Sequence, residues 1–206
     1  MKVVSQILVS LLCSAGVAGC LSPEEPSGQP NTALSQTAAA VTDGASVERT
    51  VLPPHDVYAV NAGGDAAGGF TADDYFTQGD VFSNVSQPVN TTDVYLAGPP
   101  ELYSDARQGG QFGYSFTGLN PGINYAVVLH FAELYFSLPG QRRFNVSLNG
   151  RVYTNIDIVS LAGGPFKATT LLYFVRADAN GTINVDFSRG ANDQPMVNGI
   201  EVRVIE

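Results

Sequence analysis

The sequence predicts an all-β fold, a two-sheet β-sandwich of jelly-roll type, for the chain beyond residue 54. Three observations carry this expectation. Short runs alternate apolar with polar residues; the pairs Asn149-Gly150 and Asn180-Gly181 punctuate them as turns; and no stretch keeps a 3.6-residue period or a βαβ rhythm. At 206 residues, 44% of them hydrophobic, the chain can bury one good core.

In chain order, residues 1–19 read as a lipoprotein signal peptide. Lys2 precedes a short apolar run over 7–17, which is too short to span a bilayer. The run ends in Val17-Ala18-Gly19-Cys20, which resembles a bacterial lipobox, so Cys20 is expected to become the lipidated N-terminus. The bland alternative is an ordinary cleavage site that leaves Cys20 as a spare thiol. Cys13 falls in the segment removed, which leaves no cysteine for a disulfide or a thiolate metal site. Leu21-Ser22, with no Asp after Cys20, points by the sorting habit of enteric bacteria to the outer membrane of the cell envelope. Residues 20–54 are rich in Ser, Pro, Thr, Gln and Ala, with Pro23, Pro26 and Pro30, and read as a flexible tether. Such a tether reaches roughly 30 Å root-mean-square.

The folded domain is expected over 55–206. Its first strand is 57–61, followed by a Gly-, Asp-, Thr- and Asn-rich tract over 62–100 that carries Phe70, Tyr75, Phe76, Phe82 and Tyr95. A tract this long that retains its rings reads as functional. Strands follow at 112–116 and 124–136. The second is apolar on both faces and so central, and it runs into Tyr135-Phe136 before the loop Ser137-Leu138-Pro139-Gly140. Asn149-Gly150 joins strands 144–148 and 152–158 as a hairpin, and Asn180-Gly181 is expected to do the same for 169–175 and 182–187. Strand 197–205 closes the domain.

With 10 Lys and Arg against 19 Asp and Glu the chain is acidic, which argues against nucleic acid and anionic lipid headgroups as ligands. Neutral ligands remain. His55 and His130 are the only histidines, too little for a His-based metal or nucleophile site. No cofactor is expected: Asp65, Asp73, Asp74, Asp80 and Asp93 are the oxygen ligands a structural Ca²⁺ would use, but no fixed-spacing motif organises them.

Several ordered pieces carry a resemblance. They are Ala59-Val60-Asn61-Ala62-Gly63-Gly64, Ala72-Asp73-Asp74-Tyr75-Phe76, Leu102-Tyr103 with Phe112-Gly113-Tyr114, the run from Phe131 to Phe136, Phe144-Asn145-Val146 with Asn149-Gly150, Asp157-Ile158, and Asp193-Gln194-Pro195. Together they resemble the malectin family, carbohydrate-binding domains found in an ER lectin, plant receptor kinases and bacterial secreted proteins. The resemblance implies a galactose-binding-like jelly roll and a gluco-oligosaccharide or polysaccharide partner. It also implies ligand-binding residues: Tyr75 matches the tyrosine of the first loop, Tyr135 and Phe136 the ring pair after the central strand, and Asp193 the late aspartate. Where the family pattern places a tyrosine after its arginine, here Arg107, this chain has Gln108, which removes one ring and puts the choice of sugar in doubt.

The chemistry fits such a ligand. A sugar presents a flat C–H patch and a rim of hydroxyls, which rings and planar amides or carboxylates recognise. The rings of separate turns are thus expected to converge on one end of the sandwich, with Arg107, Asp73, Asp74 and Asn192 in support. No enzymatic activity is expected. The competing classes are an envelope protein-interaction or adhesion module and, third, a glycosidase. A glycosidase needs two carboxylates, for which Glu133 with Asp157 or Asp193 are the candidates. The blander place for Glu133 is at the strand end, bonded to a backbone amide or to Arg142 or Arg143.

Overall fold

A computed structural model describes residues 56–205; the signal segment, Cys20, the tether and His55 lie outside the described residues. Twelve strands are arranged in three antiparallel sheets. In chain order they are β1 (Asp56–Asn61), β2 (Phe76–Thr77), β3 (Asp80–Ser83), β4 (Asp105–Gln108), β5 (Gln111–Phe116), β6 (Asn124–Ala132), β7 (Arg143–Leu148), β8 (Arg151–Ile156), β9 (Ala168–Arg176), β10 (Ile183–Asn192), β11 (Met196–Val197) and β12 (Gly199–Val204). A 3₁₀ turn (Pro100–Tyr103) precedes β4, and a helix α1 (Ile158–Ala162) follows β8.

The first sheet has the order β1-β12-β6-β9 and the second β2-β5-β10-β7-β8. Four of these strands contribute apolar rows to the core between them: Tyr125, Val127, Leu129 and Phe131 from β6, Phe112, Tyr114 and Phe116 from β5, Ile183, Val185 and Phe187 from β10, Phe144, Val146 and Leu148 from β7. Phe131 of the first sheet meets Phe144 of the second at 5.8 Å between ring centroids. The sandwich is therefore closed by side chains read from the period-two pattern. β6 is buried on both faces, as a central strand should be, because Val128 and His130 on its outer face are covered as well.

His130 is fully buried and satisfied. Its Nε2 stands 2.6 Å from Glu201 Oε1 and its Nδ1 3.1 Å from the Tyr103 hydroxyl, which burial pushes up to about 12. Burial alone would raise the Glu201 carboxyl, but the hydrogen bonds and charges of His130 and Arg203 outweigh it and hold the carboxyl below its ordinary range.

The hairpin β7–β8 forms as the sequence predicts. Asn149 (φ 45°) and Gly150 (φ 83°) are both left-handed, and the Asn149 amide also clamps Arg176, Thr182 and Asn184 backbone groups. The second expected hairpin does not form. β9 pairs with β6 and β10 with β5 and β7, so Asn180-Gly181 carries the chain from one sheet to the other. The Asp178 carboxylate shapes this crossing by accepting the amides of Asn180 and Thr182 at 2.8 and 2.9 Å, and a Cβ on Gly181 would lie 2.1 Å from the Leu119 carbonyl. The two apolar rows then lie on opposite sides of one core instead of side by side.

Three expected strands are shorter than read. β6 stops at Ala132, β8 stops before Asp157, which caps α1 by accepting the Ser160 amide at 3.0 Å, and 197–205 is broken at Asn198. Asn198 is fully buried and joins β6 to β4, accepting from Ala132 N–H and donating to the Asp105 carbonyl, each at 2.7 Å. The long tract 62–100 supplies β2 and β3, and β3 with β4 and β11 makes the small third sheet that carries part of the site.

Candidate functional site

The turn after β6 is built on a buried carboxylate. Glu133 is fully buried, and its Oε1 accepts the amides of Tyr135 and Phe136, each at 3.1 Å. The strand ends here because those amides bond to a side chain and no longer to a neighbouring strand. Arg142, 4% exposed, completes the pair: its Nε donates to Glu133 Oε2 at 2.7 Å and its Nη2 to Oε1 at 3.3 Å. Charges this deep persist only when paired and hydrogen-bonded. Arg142 Nη1 also donates to the Gln194 carbonyl at 2.5 Å and stands 3.3 Å from Asp193 Oδ2, while its Cζ lies 5.1 Å from the Phe136 ring centroid. One guanidinium thus ties turn 133–136 to turn 193–195.

On this strut Tyr135 is 70% exposed. Its ring meets Phe136 edge-on at 4.9 Å and Phe82 at 6.4 Å. Phe82 in β3 pairs with Ala106 in β4, and two positions along Gln108 pairs with Asp80 and Met196. Paired residues and residues two apart share a face of a sheet, so Phe82 and Gln108 lie on the face that meets Tyr135. Asp193, in the left-handed region at φ 55°, keeps 37% of its side chain exposed beside Arg142. The structure therefore brings Tyr135, Phe136, Asp193 and Gln108 to one rim, with Phe82 added.

Tyr75 and Arg107 stand elsewhere. The Tyr75 ring packs against Tyr58 at 5.1 Å and Phe116 at 5.8 Å and shares no ring contact with Tyr135. Tyr58 is three residues from Asn61, which lies level with the end of β6, so Tyr75 sits roughly 10 Å down the sandwich from the rim. The ring that the tract 62–100 delivers to Tyr135 is Phe82. Arg107 is 5% exposed; its Nε and Nη2 hold Asp73 Oδ2 at 2.8 and 2.5 Å, and its Nη1 holds the Gln78 and Gly79 carbonyls. Its guanidinium lies under the Phe76 ring, 3.4 Å from the centroid. Asp73 further accepts from Gly63 N–H and from the Tyr114 hydroxyl, which burial and the Asp73 charge hold well above the usual tyrosine range. Asp74 accepts the Tyr75 amide, and Asn192 donates to the Gly140 carbonyl. Of the aspartates considered for Ca²⁺, none joins a group of three or more candidate ligands among the described residues.

The family model described as Malectin domain matches residues 56–200. The chain belongs to the malectin family. A curated relative, Receptor-like protein 4 of Arabidopsis thaliana, is 33% identical over 87 residues, covering 41% of this chain and 14% of the relative. Among solved structures, the ANXUR1 extracellular domain from Arabidopsis thaliana matches with a TM-score of 0.68 at 19% identity, covering 74% of this chain and 49% of that one. The ANX2 ectodomain from the same plant also gives 0.68 at 19% identity, with 74% and 50% coverage. A complex described as the plant peptide RALF23 with FER and LLG2 gives 0.65 at 18% identity, with 73% and 48% coverage. This chain spans about half the length of these structures and a smaller part of the curated relative.

Malectin domains are in general non-catalytic binding modules for carbohydrate or other ligands. In this malectin domain Glu133 is sealed from solvent with both oxygens engaged, and Asp157 caps a helix while accepting the Gly140 amide at 2.6 Å. Neither is placed to hand a proton to a solvent-borne substrate. Two features of this malectin site were not assigned from sequence. Phe82 stood among the rings of the long tract with nothing to single it out, and the choice of Arg142 over Arg143 depends on which of two neighbours faces inward.

Proposed function

We propose that this chain is a lipid-anchored, extracytoplasmic carbohydrate-binding module that takes a gluco-oligosaccharide on the rim of Tyr135, Phe136, Phe82, Gln108 and Asp193, without chemistry of its own. The observation that carries the reading is a tyrosine left 70% exposed on a turn whose amides are locked by a buried carboxylate. An exposed ring on a rigid turn binds with little ordering cost, and its hydroxyl serves the polar edge of a sugar. Asp193 and Gln108 supply planar acceptors and donors for hydroxyls. Arg107 stays outside the rim and holds Asp73 and the Gln78–Gly79 turn beneath Phe76. Gln108 offers hydrogen bonds but no stacking surface, so the affinity for a free disaccharide is modest. The anchor rests on Val17-Ala18-Gly19-Cys20, and the proposed location is the outer membrane.

Titration calorimetry with gluco-oligosaccharides tests the reading. The wild type binds, Tyr135→Ala loses at least about tenfold in affinity, and Tyr75→Ala serves as the ring control and leaves binding intact. Wild-type binding that Tyr135→Ala leaves untouched would contradict the assignment. A second reading, an envelope protein-interaction module, is favoured by the exposed aliphatic residues Val85 and Leu138, each three residues along the chain from a rim ring, Phe82 and Tyr135. Capture of an envelope protein that competing sugar does not reverse supports that alternative.

A further inference from the structure

We propose that the ligand is a neutral polysaccharide longer than a disaccharide, and that its chain continues from the rim into a second subsite in the cleft lined by Val85, Gln87, Pro88, Pro100, Glu101 and Ser104. The cleft has a volume of ≈ 330 Å³. It adjoins the rim through Asn84, whose N–H donates to the Ser104 carbonyl at 3.1 Å and whose Nδ2 donates to the Leu134 carbonyl at 2.7 Å. Leu134 immediately precedes Tyr135, and Ser104 lines the cleft, so one asparagine holds the wall common to both. The path is short. Val85 lies three residues beyond Phe82, roughly 10 Å along an extended chain.

The lining matches a sugar chain. Pro88, Pro100 and Val85 present aliphatic C–H surface, and Gln87, Glu101 and Ser104 present hydrogen-bonding groups between them. Val85 is 80% exposed, so its side chain is open to contact at the mouth of the cleft. Charge narrows the class: no basic residue lines the cleft, Glu101 adds a negative charge, and the whole chain carries −9. A polyanionic glycan is repelled from such a surface, whereas hydroxyl groups donate readily to a carboxylate.

The inference rests on the sugar reading of the rim, and the experiment separates the two. Calorimetry on the purified protein compares a gluco-disaccharide with the tetra- and hexasaccharide, for the wild type, Val85→Asp and Glu101→Ala. Both substituted side chains stand at exposed positions, so the fold is not at risk. The wild type is expected to tighten about tenfold from the disaccharide to the hexasaccharide. Both variants are expected to keep the disaccharide affinity and lose that gain. Disaccharide binding with no dependence on length, or a gain that survives both variants, overturns the second subsite and leaves the rim standing. Failure of every oligosaccharide to bind overturns both. Preferential binding of a charged glycan, or capture of a polypeptide that Val85→Asp abolishes while sugar affinities stay flat, also overturns the proposal.

Discussion

Glu133→Gln is the substitution that reads the strut most sharply. In the wild type both oxygens of Glu133 are engaged, one by the amides of Tyr135 and Phe136 and both by Arg142, and neither charge of the pair reaches solvent. Gln keeps the volume and one carbonyl oxygen for the two amides, so no cavity opens. It removes the countercharge and leaves a guanidinium that is 4% exposed with the Gln194 carbonyl and the half-open Asp193 as its remaining partners. Removing one partner of a buried pair costs ~3–5 kcal/mol, and the retained amide oxygen places this case near ~3 kcal/mol. For a domain of this size each kcal/mol lowers Tm by roughly 2–4 °C, giving a fall of roughly 6–12 °C. A stability of ~5–15 kcal/mol leaves the variant folded at room temperature. Circular dichroism melts measure the fall, and calorimetry on the same samples should show weaker sugar binding because the Tyr135 turn loosens. A Tm within about 2 °C of wild type with unchanged affinity would refute the claim that this pair orders the site.

Further outcomes follow from the same geometry. Tyr135→Ala, at an exposed position, should leave stability within ~0.5 kcal/mol while costing most of the binding; a melt and a titration on one preparation separate the two effects. Asp73→Asn strips the countercharge from Arg107 and should destabilise by about 3 kcal/mol in urea unfolding, with sugar affinity largely retained. Glu201 is held below the ordinary carboxylate range, so its contribution to stability is complete above about pH 4.5 and is lost as pH falls through its folded value. Melts from pH 7 to pH 3 should show a decline that is shallower in Glu201→Gln. Asn149→Ala removes a left-handed residue and three backbone clamps, and should cost about 1–3 kcal/mol by the same melt.

Long strands with a clean period-two pattern were legible in the sequence. β5, β6, β7 and β10 each bury one row of large apolar residues, and the β7–β8 turn has the residues its left-handed angles require. The same reasoning failed at Asn180-Gly181 because a two-residue turn signal says that the chain reverses and not whether the next strand joins the same sheet or the facing one. Strands β2, β3, β4 and β11 have two to four residues each, too few for a period to register. At the site, Tyr135 and Phe136 were legible because two rings leaving a strand cannot both enter the core, and Glu133 was legible as a strand-end carboxylate. The partnership of Phe82 with Tyr135, and the distance of Tyr75 from both, depend on how β3 and β4 pair across a long tract, a tertiary matter on which local spacing is silent.

The central claim is that a locked turn presents Tyr135 as the platform for a sugar, and a crystal of the protein soaked with a gluco-oligosaccharide tests it most directly. The account predicts a pyranose ring stacked on Tyr135 with hydroxyls bonded to Asp193 and Gln108, and the Glu133–Arg142 pair unchanged beneath it. A sugar seated instead on the Phe76–Arg107 stack or beside Tyr75, with Tyr135 bare, would contradict it.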